Sequence, residues 1–145
     1  MAKAIYVLNG PNLNRLGKRE PEIYGSTTLA EVEAMCRKAA GEHPVEFRQS
    51  NAEFQLVDWI HEAIDKGSGI VINPAGLTFT SIPILDALKM CDCPIVEVHI
   101  SNIHARDEKW RKDSLMTAAA TGMITGLGPH GYALAVRHIA KLLAG

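Results

Sequence analysis

Glu97 and His99 stand two residues apart at the end of an apolar, β-branched run. The period of two in a strand puts both side chains on one face at its carboxyl end. A carboxylate beside an imidazole fixes the ring and raises its basicity, which is what a general acid–base histidine requires. A second group of candidates lies between Asn9 and Thr27, 19 residues where a strand-to-helix loop commonly has about 2–6. That length suits a lid. Arg15, Lys18 and Arg19 precede Tyr24 there, and adjacent positive charge favours an ionised phenol. Tyr24 therefore reads either as a base or as a packing anchor beside solvated cations. The segment 73–81, NPAGLTFTS, offers the Asn73 amide, the hydroxyls of Thr78, Thr80 and Ser81, and a helix N-terminus suited to an anion. Asn, Pro and Gly serve ordinary turns as well.

Several chemistries are excluded. His104 follows His99 by five residues, with Arg106 and Arg111 beyond it, and no third ligand stands at metal spacing, so no metal is expected. The segment 126–131, GLGPHG, matches a dinucleotide-binding fingerprint by letter. That fingerprint belongs to a first βα turn with a second strand after it, whereas here it falls in the last unit, and the glycines read as a tight turn. There is no phosphate-binding loop of the Walker type, no nucleophile elbow and no lysine within a strand for a Schiff base. A proton-transfer site for a small anion, free of cofactors, is what remains.

Elements that position such a site follow from periodicity. Five short apolar runs, 4–8, 45–49, 69–73, 94–99 and 122–127, alternate with helical patterns, the signature of βαβ units and a parallel sheet. Thr28 with Glu31 fits a capping box for a helix running to about Glu42, with Leu29, Val32 and Cys36 inward. Ser50 with Glu53 fits a second box, and Phe54, Val57, Ile60 and Ile64 predict its apolar stripe. Ser81 caps a third helix with Pro83 in its first turn, and Pro129 opens a last one burying Val136, Ile139 and Leu143. Five such units with right-handed crossovers predict an α/β, doubly wound sheet of flavodoxin-like order 2-1-3-4-5, whose ligand sits beyond the carboxyl ends of strands 1, 3 and 4.

At 145 residues the chain is predicted to be one catalytic domain, 1–145. Hydrophobic residues at 47%, charged residues at 21% and a net charge of −1 suit a globular core and exclude disorder or a basic nucleic-acid arm. No run is long enough to span a membrane or serve as a signal peptide, so a cytoplasmic protein is expected. Cys36, Cys91 and Cys93 read as reduced and structural.

The segments 8–17 (LNGPNLNRLG), 19–25 (REPEIYG), 49–51 (QSN), 72–76 (INPAG), 97–106 (EVHISNIHAR) and 122–128 (GMITGLG) together resemble type II 3-dehydroquinate dehydratase across nearly the whole chain. The resemblance implies a flavodoxin-like fold and reversible dehydration of 3-dehydroquinate to 3-dehydroshikimate through an enolate, without metal or other cofactor. It makes Tyr24 the base at C2, with Arg19 lowering its pKa, and has Asn12 hold a water at the enolate oxygen. His99, steered by Glu97, is the implied acid that expels the C1 hydroxyl. Asn73, Ser101 and the backbone at Ile100 and Ser101 would take the substrate carboxylate. Arg111 and Asp86 would meet the ring hydroxyls, Asp86 from a neighbouring protomer. Such proteins are commonly trimers assembled into dodecamers, so a homododecamer is expected. Two departures stand out: Phe79 replaces the usual histidine, and the segment before Arg111 is one residue longer than usual. A divergent paralogue acting on a related cyclic hydroxy acid, or a non-catalytic module binding a small anion, are the alternatives.

Overall fold

The computed structural model describes residues 2–18 and 21–145, apart from the side chains of Ile23 and Tyr24. Alternation along the strands sorts the core into two layers. Ile5, Val7, Val71, Val96 and Val98 face one way, while Tyr6, Leu8, Ile70, Ile72 and Ile95 face the other. The strands are β1 (Ala4–Asn9), β2 (Val45–Gln49), β3 (Gly67–Asn73), β4 (Ile95–His99) and β5 (Gly122–Thr125). All pair in parallel in the order β2-β1-β3-β4-β5, the predicted doubly wound topology. Its switch point lies between β1 and β3.

The helices are α1 (Pro21–Tyr24), α2 (Leu29–Ala40), α3 (Glu53–Lys66), α4 (Ile82–Lys89) and α5 (His130–Leu143). Val32 and Cys36 of α2 and Tyr132, Val136 and Ile139 of α5 cover the first layer. Leu56 and Ile60 of α3 and Ile84 and Leu88 of α4 cover the second. Burying a side chain of this size stabilises by about 1.5–3 kcal/mol, so each stripe outweighs the helix's own propensity in fixing its place.

The Thr28–Glu31 capping box forms. Ser81 accepts from the Ile84 N–H as the cap of α4 at 3.1 Å. The second predicted box does not form: α3 starts at Glu53 after Ala52. The Ser50 hydroxyl instead accepts from the Ala52 N–H at 3.0 Å and donates to Gln55 at 2.7 Å. With that start, Phe54 falls on the outer side of the first turn, 71% exposed, and Leu56, outside the predicted stripe, is buried in the core instead. Leu143, in the last turn of α5, is likewise exposed rather than buried. All three cysteines are free. No helix among the described residues is long and apolar enough to cross a membrane.

Candidate active site

The switch point is built from amides. Asn9 and Asn73 end β1 and β3 as register partners, and both are buried. The hydroxyl of Tyr132, wholly inside the protein, donates to Asn9 Oδ1 and accepts from Asn73 Nδ2, both at 2.8 Å. Asn73 Oδ1 accepts from the Ala75 N–H at 3.1 Å, so its orientation is fixed from both ends. The loops after β1 and β3 touch here. Gly10 donates its N–H to the Asn73 carbonyl at 2.8 Å, and a β-carbon on Gly10 would lie 2.3 Å from the Pro74 oxygen, so only glycine permits the approach.

Above that floor opens a cavity of about 200 Å³, lined in part by Asn12, Asn73, His99, Ser101, Arg106 and Arg111. Its volume is below the roughly 300–1,000 Å³ typical of drug-sized pockets, so it suits a small ligand. Asn12 (φ 72°) and Ala75 (φ 54°), the non-glycine residues with positive φ among the described residues, both line it. Such conformations cost about 1–3 kcal/mol and collect at functional sites. Gln49 and Asn51 hold the first loop in place: Gln49 Nε2 donates to the Gly10 carbonyl at 3.1 Å, and Asn51 Oδ1 accepts from the Asn12 N–H at 2.9 Å. Leu13 and Leu16 in that loop are buried and line the cavity, so its first half is a packed wall and not the lid its length suggested.

On β4, Glu97 and His99 do share a face, and His99 Nε2 is hydrogen-bonded to Glu97 Oε2. Glu97 is fully buried. The Ser114 hydroxyl donates to its Oε2 at 2.5 Å and the Thr117 hydroxyl to its Oε1 at 2.7 Å. Burial alone pushes the Glu97 carboxyl up, but the bonds from His99 and Ser114, the imidazole's charge and the Thr117 bond outweigh it and hold the carboxyl below its ordinary range. With Nε2 committed, Nδ1 is the ring nitrogen left for a ligand.

The next residues add two guanidinium groups and a hydroxyl to the cavity wall. Arg106 Nη2 donates to Ser101 Oγ at 2.8 Å, which leaves the Ser101 proton for another acceptor. The Nε atoms of Arg106 and Arg111 are buried without a partner, a costly condition that a bound anion or hydroxyl would relieve. The glycines of segment 126–131 brace this wall: the N–H groups of Gly126 and Gly128 donate to the carbonyls of His99 and Ile100 at 3.1 and 3.0 Å. They form the expected tight turn.

The longer segment before Arg111 still delivers Arg111 to the cavity. Its guanidinium lies 5.3 Å from the centre of the Trp110 ring, and Trp110 meets Phe79 edge to face at 6.0 Å. Phe79 thus replaces an imidazole with the base of an aromatic stack. Ile100 also lines the cavity. Two expectations differ or fall outside, and a third concerns a neighbouring copy. Thr78 and Ser81 are buried away from the cavity because the 3-10 turn Ala75–Phe79 rolls them inward, leaving Asn73, Ala75, Gly76 and Phe79 as the contributors from this loop. Asp86 is exposed on α4 and does not line this chain's cavity. Arg19 and the side chain of Tyr24 lie outside the described residues. Arg106, Ser114, Thr117 and Tyr132 were not among the expected site residues. Only Arg106, inside the 97–106 segment, carried a signal in the sequence.

The sequence profile described as Dehydroquinase class II matches residues 3–140. The chain is 55% identical to a 3-dehydroquinate dehydratase of Methylobacterium radiotolerans over all of its own length and 98% of that protein. It is 60% identical to one of Streptomyces avermitilis, covering 95% of this chain and 88% of that one. The crystal structure of type II dehydroquinase from Propionibacterium acnes superposes with a TM-score of 0.91 at 48% identity, covering 97% of this chain and 98% of that one. With a profile spanning most of its length and relatives more than half identical end to end, the chain belongs to the class II dehydroquinase family.

Proposed function

We propose that this protein is a 3-dehydroquinate dehydratase, a hydro-lyase that works by acid–base catalysis alone. The observation that carries this reading is the buried Glu97–His99 pair opening into a small cavity edged by an amide, a hydroxyl and two guanidinium groups. A cyclic hydroxy acid matches those donors. Tyr24, as phenolate favoured by Arg19, takes a proton from C2, and charge moves onto the carbonyl oxygen as an enolate, stabilised by a water held at Asn12. The enolate then re-forms the carbonyl as the C1 hydroxyl leaves, taking a proton from His99 and departing as water. Each turnover thus loses one molecule of water and returns the proton from Tyr24 to His99 through solvent. The substrate carboxylate rests against Asn73, Ser101 and the backbone at Ile100, and Arg111 meets a ring hydroxyl.

Asp86 completes the site from a neighbouring copy. The exposure of Asp86 beside exposed Ile82 and Met90 on and after α4 supports an oligomeric assembly, which we place at the trimer within a dodecamer. The free cysteines suit a reducing, cytoplasmic setting. The test is to mix purified protein with 3-dehydroquinate, adding neither metal nor nucleotide, and follow the conjugated-enone absorbance. A steady rise is expected; no turnover at high enzyme concentration would shift the reading to a paralogue or a binding module.

A further inference from the structure

We propose that Ser114 and Thr117 are positioning residues for the acid: their hydroxyls hold the Glu97 carboxylate that steers His99 and so set how readily the pair gives up its proton. The inference rests on the reading of His99 as the acid. Each hydroxyl has a single proton to give. Ser114 Oγ accepts from the Met116 N–H at 3.0 Å, so its proton is committed to Glu97. The turn that carries both residues is tied to the loop after β3 by the Leu115 N–H, which donates to the Thr78 carbonyl at 3.0 Å. Thr117 is exposed, and of the two acceptors its hydroxyl meets, Glu97 Oε1 at 2.7 Å is closer and stronger than the Met123 sulfur at 3.8 Å.

The surroundings of the pair supply few other charges. The register partners of Glu97 are Ile72 and Met123, and that of His99 on β5 is Thr125. The charged side chains lining the cavity with His99, among the described residues, are Arg106 and Arg111. Beside the His99 ring, the side-chain donors to Glu97 are two neutral hydroxyls.

Their effect has a definite sign. When the pair is protonated, an imidazolium offsets the carboxylate; once the proton has gone, a buried anion depends on neutral donors. Removing those donors destabilises the deprotonated pair more than the protonated one, so the proton is held more tightly and the pair becomes a weaker acid.

The experiment is an NMR titration of the labelled His99 ring in free Ser114→Ala, Thr117→Val and double-variant protein, paired with kcat profiles against pH. In the double variant the titration midpoint moves to higher pH by about 0.5–1 unit. The alkaline limb of kcat moves the same way, with kcat down about tenfold and KM changed less than about threefold. Thr117→Ser, which keeps the hydroxyl, stays close to wild type in both readouts. The titration needs no substrate, so it tests the hydroxyls separately from the dehydratase reading, which would fail through absent wild-type turnover. A folded double variant with an unmoved midpoint overturns the proposal, as does Thr117→Ser behaving like Thr117→Val. Should the double variant not fold, the exposed Thr117→Val carries the same measurement.

Discussion

Two carboxylates in this protein are held below their ordinary range by opposite means. Glu62 on α3, partly exposed, takes Arg48 Nη2 and the Tyr6 hydroxyl on one oxygen, both at 2.6 Å. The Arg48 bond, with help from Tyr6, lowers its pKa from 4.5 to about 2. Glu97 is fully buried and is held by an imidazole and two hydroxyls. A guanidinium keeps its charge at every working pH, so the Glu62 cluster cannot change its proton count near neutrality and serves as scaffold between β1, β2 and α3. The Glu97 cluster contains a ring that can take or give a proton, and it faces the cavity. A depressed carboxylate alone does not mark a catalytic site; what marks it is whether its partners can titrate.

The largest effects fall on the titratable side. His99→Ala and Tyr24→Phe should each lower kcat by about 10²–10⁴-fold, the usual cost of losing a general acid or base, with folding unchanged by circular dichroism. A variant with near-normal turnover would remove that residue from the mechanism.

Phe79→His changes the cavity wall while leaving both carboxylates untouched. Restoring a hydrogen-bond partner for a ring hydroxyl is worth about 1–3 kcal/mol, or about 5–150-fold in kcat/KM on 3-dehydroquinate. A gain means the phenyl ring is a handicap for that substrate. A loss means the stack of Phe79, Trp110 and Arg111 has become the recognition surface in its own right.

The smallest effect on activity belongs to the scaffold. Glu62→Gln should leave kcat within about twofold but cost about 1–2 kcal/mol of stability at neutral pH, seen as a melting temperature lower by about 2–8 °C. Because the folded carboxyl titrates lower than the unfolded one, its contribution is present above about pH 4.5 and is lost as pH falls toward 2. Acid unfolding curves of the variant should therefore be flatter across that window.

The strands and the shared face at the end of β4 were legible in the sequence because both rest on local alternation, which a period of two records directly, and the strand order followed from five alternating units joined by right-handed crossovers. The caps at Thr28 and Ser81 were legible because a hydroxyl residue just before a helical pattern, followed by Glu31 in one case and Pro83 in the other, is itself a local signal. The Ser50 box failed because a serine hydroxyl has more than one local use, and here the Ala52 N–H and Gln55 claim it. Phe54 then followed the shifted helix start to the surface. The donors to Glu97 were not legible: Ser114 and Thr117 lie 17 and 20 residues away in sequence, in a segment without periodicity. Tyr132 reads as helix core, and its bond to Asn9 spans 123 residues. Contacts of that kind belong to the fold and leave no pattern along the chain.

The comparison of the two carboxylates is tested most directly by pH–rate profiles of wild type, Glu97→Gln and Glu62→Gln on 3-dehydroquinate, measured side by side between about pH 6 and 10, where all three are folded. Glu97→Gln should lose kcat by about 10²-fold or more and no longer show the wild-type alkaline limb, while Glu62→Gln overlays the wild type. Equal losses in the two variants, or a Glu97→Gln profile that matches wild type, would contradict the assignment of Glu97 and His99 as the proton-donating pair.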